Sequence, residues 1–240
     1  MTQRSDVERN SLFDTNNRPM PGQVVGGCYL LQKLISESVG TQTFLAVHGR
    51  TGEAYVVKTL AITEPTRGSL MRLEYEAALL ARVRSQWFAP LVHFERSEHA
   101  LFLVLKHVDG VSLAKRLDEG PLSLEESMVV AKGVFSALRD IHHHGVVHRG
   151  VRPSNIIVNE FGPVRTVTLV DYGPTRSIQT NGSLHEQSLE VARYVSPEQA
   201  GSIDHDVTEA SDIYSTGLVL YRCLTGEIPF SGKSVGVVLS

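Results

Sequence analysis

Short apolar runs separated by turn residues dominate the first half of the chain, and this pattern predicts β-strands. The segment 49–52, Gly-Arg-Thr-Gly, has the composition of a hairpin turn. Strands that follow one another so closely are expected to pair antiparallel, because tight turns join antiparallel neighbours. The predicted strands lie at 29–35, 43–47, 54–57, 91–94 and 101–105.

One helix is predicted between the third and fourth of these strands. Its apolar residues recur at the three-to-four-residue spacing of a helix that buries one face. Antiparallel strands combined with a single helix predict a small α+β lobe. The apolar positions of this helix are Leu70, Leu73, Ala77 and Leu80.

The second half of the chain begins with a strong helix signal. Ser123 is followed three positions later by Glu126, and this spacing is typical of a capping box at a helix N-terminus. Gly145 suits the far end of the same helix, because glycine adopts the left-handed conformation that often ends helices. The apolar stripe of this helix is Val130, Val134, Leu138 and Ile141.

A second helix is predicted from about 211–212, with Gly226 and Pro229 as stop signals. Two short strand candidates, 156–158 and 167–170, lie between the two helices. The second half of the chain is therefore expected to be mainly helical. The apolar stripe of this helix is read as Ile213, Leu220 and Leu224.

Composition excludes several classes of protein. Of the 240 residues, 42% are hydrophobic and 20% are charged, and the net charge is −3, so no basic field points to nucleic acid or an anionic membrane. We find no apolar run of transmembrane length and no secretory signal in the polar N-terminus. Two cysteines, Cys28 and Cys223, cannot build a disulfide framework. A cytoplasmic location is expected.

A series of short motifs stands in a fixed order along the chain. Taken together, the motifs resemble those of the bacterial eukaryotic-like Ser/Thr protein kinases. The resemblance implies an α+β, two-lobed protein-kinase-like fold, with a flexible lead-in at 1–23, a β-rich N-lobe at 24–108 and a helical C-lobe at 109–240. The motifs are Tyr-Val-Val-Lys ending at Lys58, Glu76, His-Arg-Gly-Val-Arg-Pro-Ser-Asn at 148–155, Asp-Tyr-Gly at 171–173, Ser-Pro-Glu at 196–198 and Ser-Asp-Ile-Tyr-Ser at 211–215.

The residue types at these positions suit ATP and Mg²⁺. Lys58 would place a point charge on the phosphates, and Glu76 could hold its flexible side chain in position. Asn155 and Asp171 offer the oxygen ligands that Mg²⁺ prefers. The alternatives are a solvated surface pair for Lys58 and Glu76, and an ordinary turn aspartate at Asp171.

The resemblance also implies an adenine pocket. Its roof would be formed by two side chains of the N-lobe and its floor by one of the C-lobe. A gatekeeper and a hinge that binds adenine through backbone groups complete it. The implied residues are Ile35 and Val56 for the roof, Ile157 for the floor, Leu105 as gatekeeper and Lys106-His107-Val108 as hinge.

Departures from the family pattern in two loops affect catalysis. Gly150 occupies the position of the aspartate that accepts the substrate hydroxyl proton, and glycine has no side chain to serve as a base. Arg152 replaces the lysine of this loop, which keeps the charge but changes its shape. The phosphate loop has Ser36, Ser38 and Thr41 at its glycine positions, with Gly40 out of register.

Other residues receive structural or regulatory roles by the same resemblance. Asp212 is expected to accept hydrogen bonds from the catalytic-loop backbone, and His148 to pack beside Tyr172. Glu198 would lack its usual arginine partner, which belongs to helices beyond the last residue, Ser240. We therefore expect a fragment of a longer multidomain protein, or a domain stabilised by a partner. Arg149 could receive a phosphate carried by Ser177, Thr180, Ser183 or Ser188.

Three functions remain open. The first is a pseudokinase that binds ATP and Mg²⁺ and has a regulatory or interaction role. The second is a slow but active Ser/Thr kinase that transfers the γ-phosphate to a protein substrate, because positioning and metal ions supply much of this catalysis. The third is a protein-interaction module that binds no nucleotide.

Overall fold

The computed structural model describes residues 19–38, 40–61, 67–97, 100–172, 189–230 and 232, with only the backbone described at 67–70. The chain forms two compact units. Unit 1 comprises the described residues up to 61 together with Leu91–His107, and unit 2 comprises Arg67–Pro90 together with the described residues from Val108 onward.

Unit 1 is built around one antiparallel sheet of six strands in the order β1-β2-β3-β4-β6-β5. The five strands predicted from the apolar runs are all present, each longer than predicted by two to four residues. β1 was not predicted, because two residues carry too little pattern. The strands are β1 Val24–Val25, β2 Tyr29–Ser38, β3 Thr41–His48, β4 Ala54–Ala61, β5 Leu91–Arg96 and β6 Ala100–Lys106.

The hairpin predicted at 49–52 joins β3 to β4. Gly52 donates its backbone N–H to the carbonyl of His48 at 2.9 Å, and its φ of +72° is the left-handed conformation that glycine tolerates best. Successive side chains of each strand point to opposite faces of the sheet. One face carries a core of fully buried side chains. Its centre consists of Leu31, Phe44, Ala46, Val57 and Val104.

Unit 2 contains all six helices of the described chain and a small antiparallel sheet in the order β7-β8-β9. Within the described residues, no helix has the combination of length and apolarity that crossing a bilayer requires. The helices are α1 Arg67–Leu80, α2 Leu113–Leu117, α3 Leu124–His142, α4 Leu189–Ala192, α5 Pro197–Ala200 and α6 Glu209–Thr225. The strands are β7 Val111–Ser112, β8 Ile156–Val158 and β9 Val167–Leu169, and a 3₁₀ turn spans Pro153–Asn155.

Helix α3 confirms both its predicted cap and its predicted stripe. Ser123 Oγ accepts from the Glu126 N–H at 3.2 Å, and Glu126 Oε2 accepts from the Ser123 N–H at 3.0 Å. The C-cap is His143, so the left-handed Gly145 lies two residues beyond it rather than directly after it. The predicted stripe, Val130, Val134, Leu138 and Ile141, is fully buried.

Helix α6 begins at Glu209, after the N-cap Thr208, slightly earlier than predicted. Its predicted stripe was wrong at two positions, because Ile213 and Leu224 are exposed. Apolar residues occur all round this helix, so spacing alone did not identify the buried face, which also carries small polar groups. The buried residues are Ser211, Asp212, Ser215, Thr216, Leu218, Val219 and Cys223.

Candidate functional site

In unit 1, the sheet brings together two of the side chains predicted to contact adenine. Val56 of β4 lies directly opposite Leu105 of β6. Lys58 follows on the same strand, opposite Leu103, and its side chain is only 6% exposed. Lys106 ends β6 and is exposed, and Ile35 of β2 is 54% exposed. Unit 1 therefore presents an apolar pair beside a buried lysine.

The described residues of the predicted phosphate loop lie on two paired antiparallel strands, with a register irregularity between Leu34 and Ser36. Ser38 of β2 pairs with Thr41 of β3, and Gly40 turns the chain with a φ of +69°. In such a ladder the strands bond to each other, so fewer N–H groups remain for a phosphate. Glu37 also stands on this hairpin, where its Oε1 accepts from Gln42 Nε2 at 3.4 Å, and it adds negative charge.

In unit 2, Asp212 of α6 holds the catalytic-loop backbone, as predicted. Its Oδ2 accepts from the His148 N–H at 2.8 Å, and its Oδ1 accepts from the Arg149 N–H at 2.7 Å. His142 Nε2, at the end of α3, also lies 2.8 Å from Asp212 Oδ2. His148 is fully buried and meets the Tyr172 ring edge-on at a centroid distance of 6.5 Å. The predicted packing of this histidine is therefore confirmed.

Gly150 lies in a loop that keeps its hydrogen-bonded shape. Asn155 Nδ2 donates to the carbonyl of Gly150 at 2.8 Å, and the Gly150 N–H donates to His148 Nδ1 at 3.2 Å. A Cβ added at Gly150 would find its nearest atoms at 3.5–3.6 Å, which is ordinary van der Waals contact. The position therefore has room for a side chain.

The pairing of β8 with β9 brings Asn155 and Asp171 to one end of the small sheet. Ile156 lies opposite Leu169, and the Val170 N–H donates to the carbonyl of Asn155 at 2.9 Å. Because the Asn155 amide nitrogen is already a donor, its oxygen remains available as an acceptor. Arg152 Nη2 lies 4.0 Å from Asp171 Oδ2.

Asn155 and Asp171 therefore offer the donor chemistry that Mg²⁺ requires. Among the described residues, no group of three or more His, Cys, Asp or Glu side chains is arranged to hold a metal. Mg²⁺ typically uses one or two protein carboxylates and completes its shell with water and phosphate oxygens. The remaining predicted residues of unit 2, Val108 and Ile157, are partly buried.

Glu76 of α1 is held by a buried cluster that sequence analysis did not predict. Arg149 Nη1 donates to Glu76 Oε2 at 3.1 Å, and Arg149 Nη2 donates to Glu76 Oε1 at 3.3 Å. The Tyr172 hydroxyl donates to Glu76 Oε2, and Arg72 Nε donates to Oε1 at 3.2 Å. Glu76 and Arg149 are each 7% exposed.

The electrostatics of this cluster favour the ion pair. Burial tends to raise the pKa of Glu76, but the Tyr172 hydrogen bond and the Arg149 charge outweigh it, so that the pKa is lowered. Burial tends to lower the pKa of Arg149, and its neighbours Tyr172 and Glu76 raise it overall. Burial and the Glu76 carboxylate together raise the pKa of Tyr172. The sequence contained one signal of this cluster, namely the tyrosine at the second position of the Asp-Tyr-Gly motif at 171–173.

Two further predicted features have different outcomes. Glu198 of α5 accepts a hydrogen bond from Ser211 Oγ of α6, so it has a partner that we had not predicted. Burial raises the pKa of Glu198, but this hydrogen bond contributes to a net lowering. Gly173 and the proposed phosphate acceptors, Ser177, Thr180, Ser183 and Ser188, lie outside the described residues.

Comparison with known proteins identifies the family. A family model described as protein kinase domain matches residues 31–237. The probable serine/threonine-protein kinase PknB of Bifidobacterium longum is 32% identical over 229 residues, which cover 90% of this chain and 32% of that protein. Serine/threonine-protein kinase PknA of Mycobacterium tuberculosis is 30% identical over 222 residues, which cover 89% of this chain and 50% of that protein.

Further relatives agree with this result. PknB of Mycobacterium tuberculosis is 38% identical over 137 residues, which cover 55% of this chain and 21% of that protein. The crystal structure of Rad53 1–466 in complex with AMP-PNP has a similar fold, with a TM-score of 0.68, 22% identity and coverage of 89% of this chain and 52% of that one. The chain spans at most half the length of these curated relatives. Together, the family model and the relatives show that this chain belongs to the protein kinase family, as a bacterial eukaryotic-like Ser/Thr kinase domain.

Proposed function

We propose that this domain is a pseudokinase that binds ATP with Mg²⁺ and has a regulatory or interaction role toward another protein. The observation that carries the proposal is the catalytic loop, which Asp212 and Asn155 hold by hydrogen bonds of 2.7–2.8 Å while Gly150 replaces the base. Asn155 still contacts this loop at the carbonyl of Gly150, at 2.8 Å. The elements for binding are retained, and the group for proton removal is missing.

The nucleotide-binding half of the proposal is supported by residues in both units. Lys58 is buried on β4, which suits a charge that acts on phosphate in a site of low polarity. Val56 and Leu105 face each other across two strands and offer an apolar surface for adenine. Asn155 and Asp171 supply oxygen ligands for Mg²⁺, which would bridge the phosphates.

The low-transfer half of the proposal rests on two features. A general base typically contributes about 10²–10⁴-fold to a rate, and Gly150 cannot supply it. The hairpin that carries Ser38 and Thr41 pairs its own backbone, and Glu37 adds a negative charge that repels a triphosphate. We therefore expect weakened phosphate binding as well as no detectable transfer.

A slow but active Ser/Thr kinase is the second candidate. The intact Asp212 contacts to the loop, at 2.7 and 2.8 Å, favour it, because phosphoryl transfer depends mostly on positioning and on metal ions. An interaction module that binds no nucleotide is the third candidate, and the retained Lys58, Asn155 and Asp171 argue against it. We further propose a protein partner or substrate and a cytoplasmic site of action, within a longer protein.

The test is a titration with ATP in the presence and absence of Mg²⁺. Binding is detected by the shift of the thermal unfolding midpoint and by calorimetry. A ligand at about a hundred times its Kd stabilises the native state by about 2.7 kcal/mol. We expect a Mg²⁺-dependent rise that Lys58→Ala and Asp171→Asn abolish. Two control variants, Lys33→Ala and Asp204→Asn, each remove a charge of the same sign as their counterpart, at an exposed position. Both should behave like the wild type.

A transfer assay with radiolabelled ATP then separates the first two candidates. Transfer that is detectable in the wild type and lost in Lys58→Ala would establish the slow kinase. The absence of any thermal shift at millimolar ATP, in a sample that melts cooperatively, would exclude both nucleotide-dependent candidates and leave the interaction module.

A further inference from the structure

The side-chain amide of Gln199, on helix α5, forms hydrogen bonds in two directions. Its oxygen closes the capping box of this helix, because Oε1 accepts from the Ser196 backbone N–H at 3.3 Å and from the Ser196 hydroxyl at 3.2 Å. Its nitrogen points away from the cap, and Nε2 donates to the backbone carbonyl of Arg149 at 3.3 Å. One side chain therefore connects α5 to the catalytic loop, and both belong to unit 2.

The backbone of Arg149, which receives this bond, is strained. Arg149 has a φ of +60°, and this left-handed conformation costs free energy for a residue that carries a Cβ. Asp212 Oδ1 accepts from the Arg149 N–H at 2.7 Å, and Gln199 donates to the Arg149 carbonyl. A strained conformation persists only where the surrounding structure holds it, and these two bonds hold both backbone polar groups of the residue.

The peptide group between Arg149 and Gly150 is also the one that the metal-ligand candidate depends on. Its N–H donates to His148 Nδ1 at 3.2 Å, and its carbonyl is the acceptor of Gln199. The next carbonyl, that of Gly150, accepts from Asn155 Nδ2 at 2.8 Å. Gly150 has no side chain whose contacts could hold this part of the loop. A rotation of the peptide group would therefore displace the Asn155 amide.

We propose that Gln199 is a positioning residue that fixes the Arg149–Gly150 peptide group and thereby holds Asn155 in place for Mg²⁺. Binding of ATP with Mg²⁺ and the stability of α5 are then coupled, and this coupling is reciprocal. Loss of the bond between Gln199 and Arg149 weakens Mg²⁺-dependent ATP binding, and bound ATP with Mg²⁺ stabilises α5, whose four residues are all partly exposed. The inference rests on the proposed nucleotide binding and adds to it a segment that responds to the nucleotide.

Two substitutions separate the two bonds of this side chain. Gln199→Glu keeps an oxygen for the capping box and removes the N–H that donates to Arg149. An acidic residue also suits the first turn of a helix, so this variant is expected to fold, which its thermal unfolding will show. Ser196→Ala is the matched control, because it removes the hydroxyl of the same capping box and leaves the Gln199 amide in place.

The first measurement is amide hydrogen exchange of the catalytic loop without nucleotide. The N–H groups of Arg149 and Gly150 are bonded to Asp212 and His148. We expect both amides to exchange up to about tenfold faster in Gln199→Glu, which is the scale of one neutral hydrogen bond. In Ser196→Ala they should exchange at the wild-type rate.

The second measurement is the Kd for ATP by calorimetry, with and without Mg²⁺. We expect Gln199→Glu to bind ATP about two- to tenfold more weakly than the wild type when Mg²⁺ is present. Without Mg²⁺ the two proteins should not differ, because the affected group is a ligand of the metal. In the same samples, ATP with Mg²⁺ should slow the exchange of the α5 amides in the wild type and not in Gln199→Glu.

The outcomes separate the role of Gln199 from the proposed function. Faster loop exchange and weaker Mg²⁺-dependent binding in Gln199→Glu, with Ser196→Ala like the wild type, would support both. Unchanged loop exchange or unchanged ATP affinity in Gln199→Glu, or equal effects in Ser196→Ala, would overturn the role of Gln199 and leave the proposed function standing. No ATP binding by the wild type would overturn the proposed function, and the coupling with it, even if the loop amides still exchanged faster in Gln199→Glu.

Discussion

Restoring a carboxylate at Gly150 should restore phosphoryl transfer. The backbone at Gly150 lies outside the left-handed region that favours glycine. An added Cβ would meet Asn155 Nδ2 and the Asp171 carbonyl oxygen at 3.5 Å. Gly150→Asp is therefore expected to need no movement of the loop, and loss of glycine's freedom in the unfolded chain should stabilise the domain by about 0.4–1 kcal/mol.

The size of the gain follows from what a general base contributes. A positioned base is worth about 10²–10⁴-fold, which corresponds to about 2.7–5.4 kcal/mol of the activation barrier. The substitution leaves the hairpin at Ser38 and Thr41 unchanged, so we expect kcat to rise while the Kd for ATP stays the same. A rise in affinity alone would not fit this reasoning.

The assay measures transfer from radiolabelled ATP to a generic peptide that contains serine and threonine. Gly150→Asn keeps the shape of the new side chain without a basic carboxylate and should stay at the wild-type rate. Gly217→Asp introduces the same residue at an exposed helix position with open space around it and controls for added charge. If Gly150→Asp folds, binds ATP and transfers no faster than Gly150→Asn, the missing base is not what limits this domain, and our explanation of Gly150 is refuted.

Three further predictions concern stability, each measured by thermal or urea unfolding. Gly133→Ala should lower the free energy of unfolding by about 1–3 kcal/mol, because the new Cβ would lie 2.6 Å from the Val167 Cβ. Gly217→Ala has open space around it and should raise the free energy of unfolding by up to about 1 kcal/mol. Asp212→Ala should lower the free energy of unfolding by about 3–5 kcal/mol, because two buried N–H donors of the catalytic loop lose their acceptor. Hydrogen exchange of these two amides should become faster, and Asp212→Asn should destabilise the domain less. The lowered pKa of Glu76 means that its stabilisation is complete above its ordinary value of 4.5 and is lost as the pH falls through the lower, folded value; Glu76→Gln should abolish that part of the acid dependence, and an unchanged pH profile would contradict the assignment.

Sequence patterns were most informative where a structure depends on near neighbours in the chain. The capping box of Ser123 and Glu126, the turn at Gly52 and the buried stripe of α3 depend on residues a few positions apart, so they were predicted correctly. The two-residue strands β1 and β7 were missed, because each forms only by pairing with a longer partner. The buried face of α6 was partly wrong, because apolar residues surround that helix and its neighbours decide which of them are covered.

The candidate site shows the same division. The ordered motifs allowed the role of Asp212 to be predicted, and its contacts with the loop confirm it. The partners of Glu76 were not predictable, because Arg149 and Tyr172 lie 73 and 96 positions further along the chain. The nucleotide-binding assignments of Lys58 and the other motif residues remain predictions that the experiments above address.

The sequence alone therefore determined the family, the order of the longer strands and helices, and the absence of a carboxylate at Gly150, since all three follow from residue types and their spacing. The tertiary structure decided which donors occupy Glu76, which partner Glu198 has, and whether a side chain fits at Gly150. The physical reason is that hydrogen-bond partners and free volume are set by atoms that folding brings together from distant parts of the chain. No local pattern contains that information until the backbone has been placed.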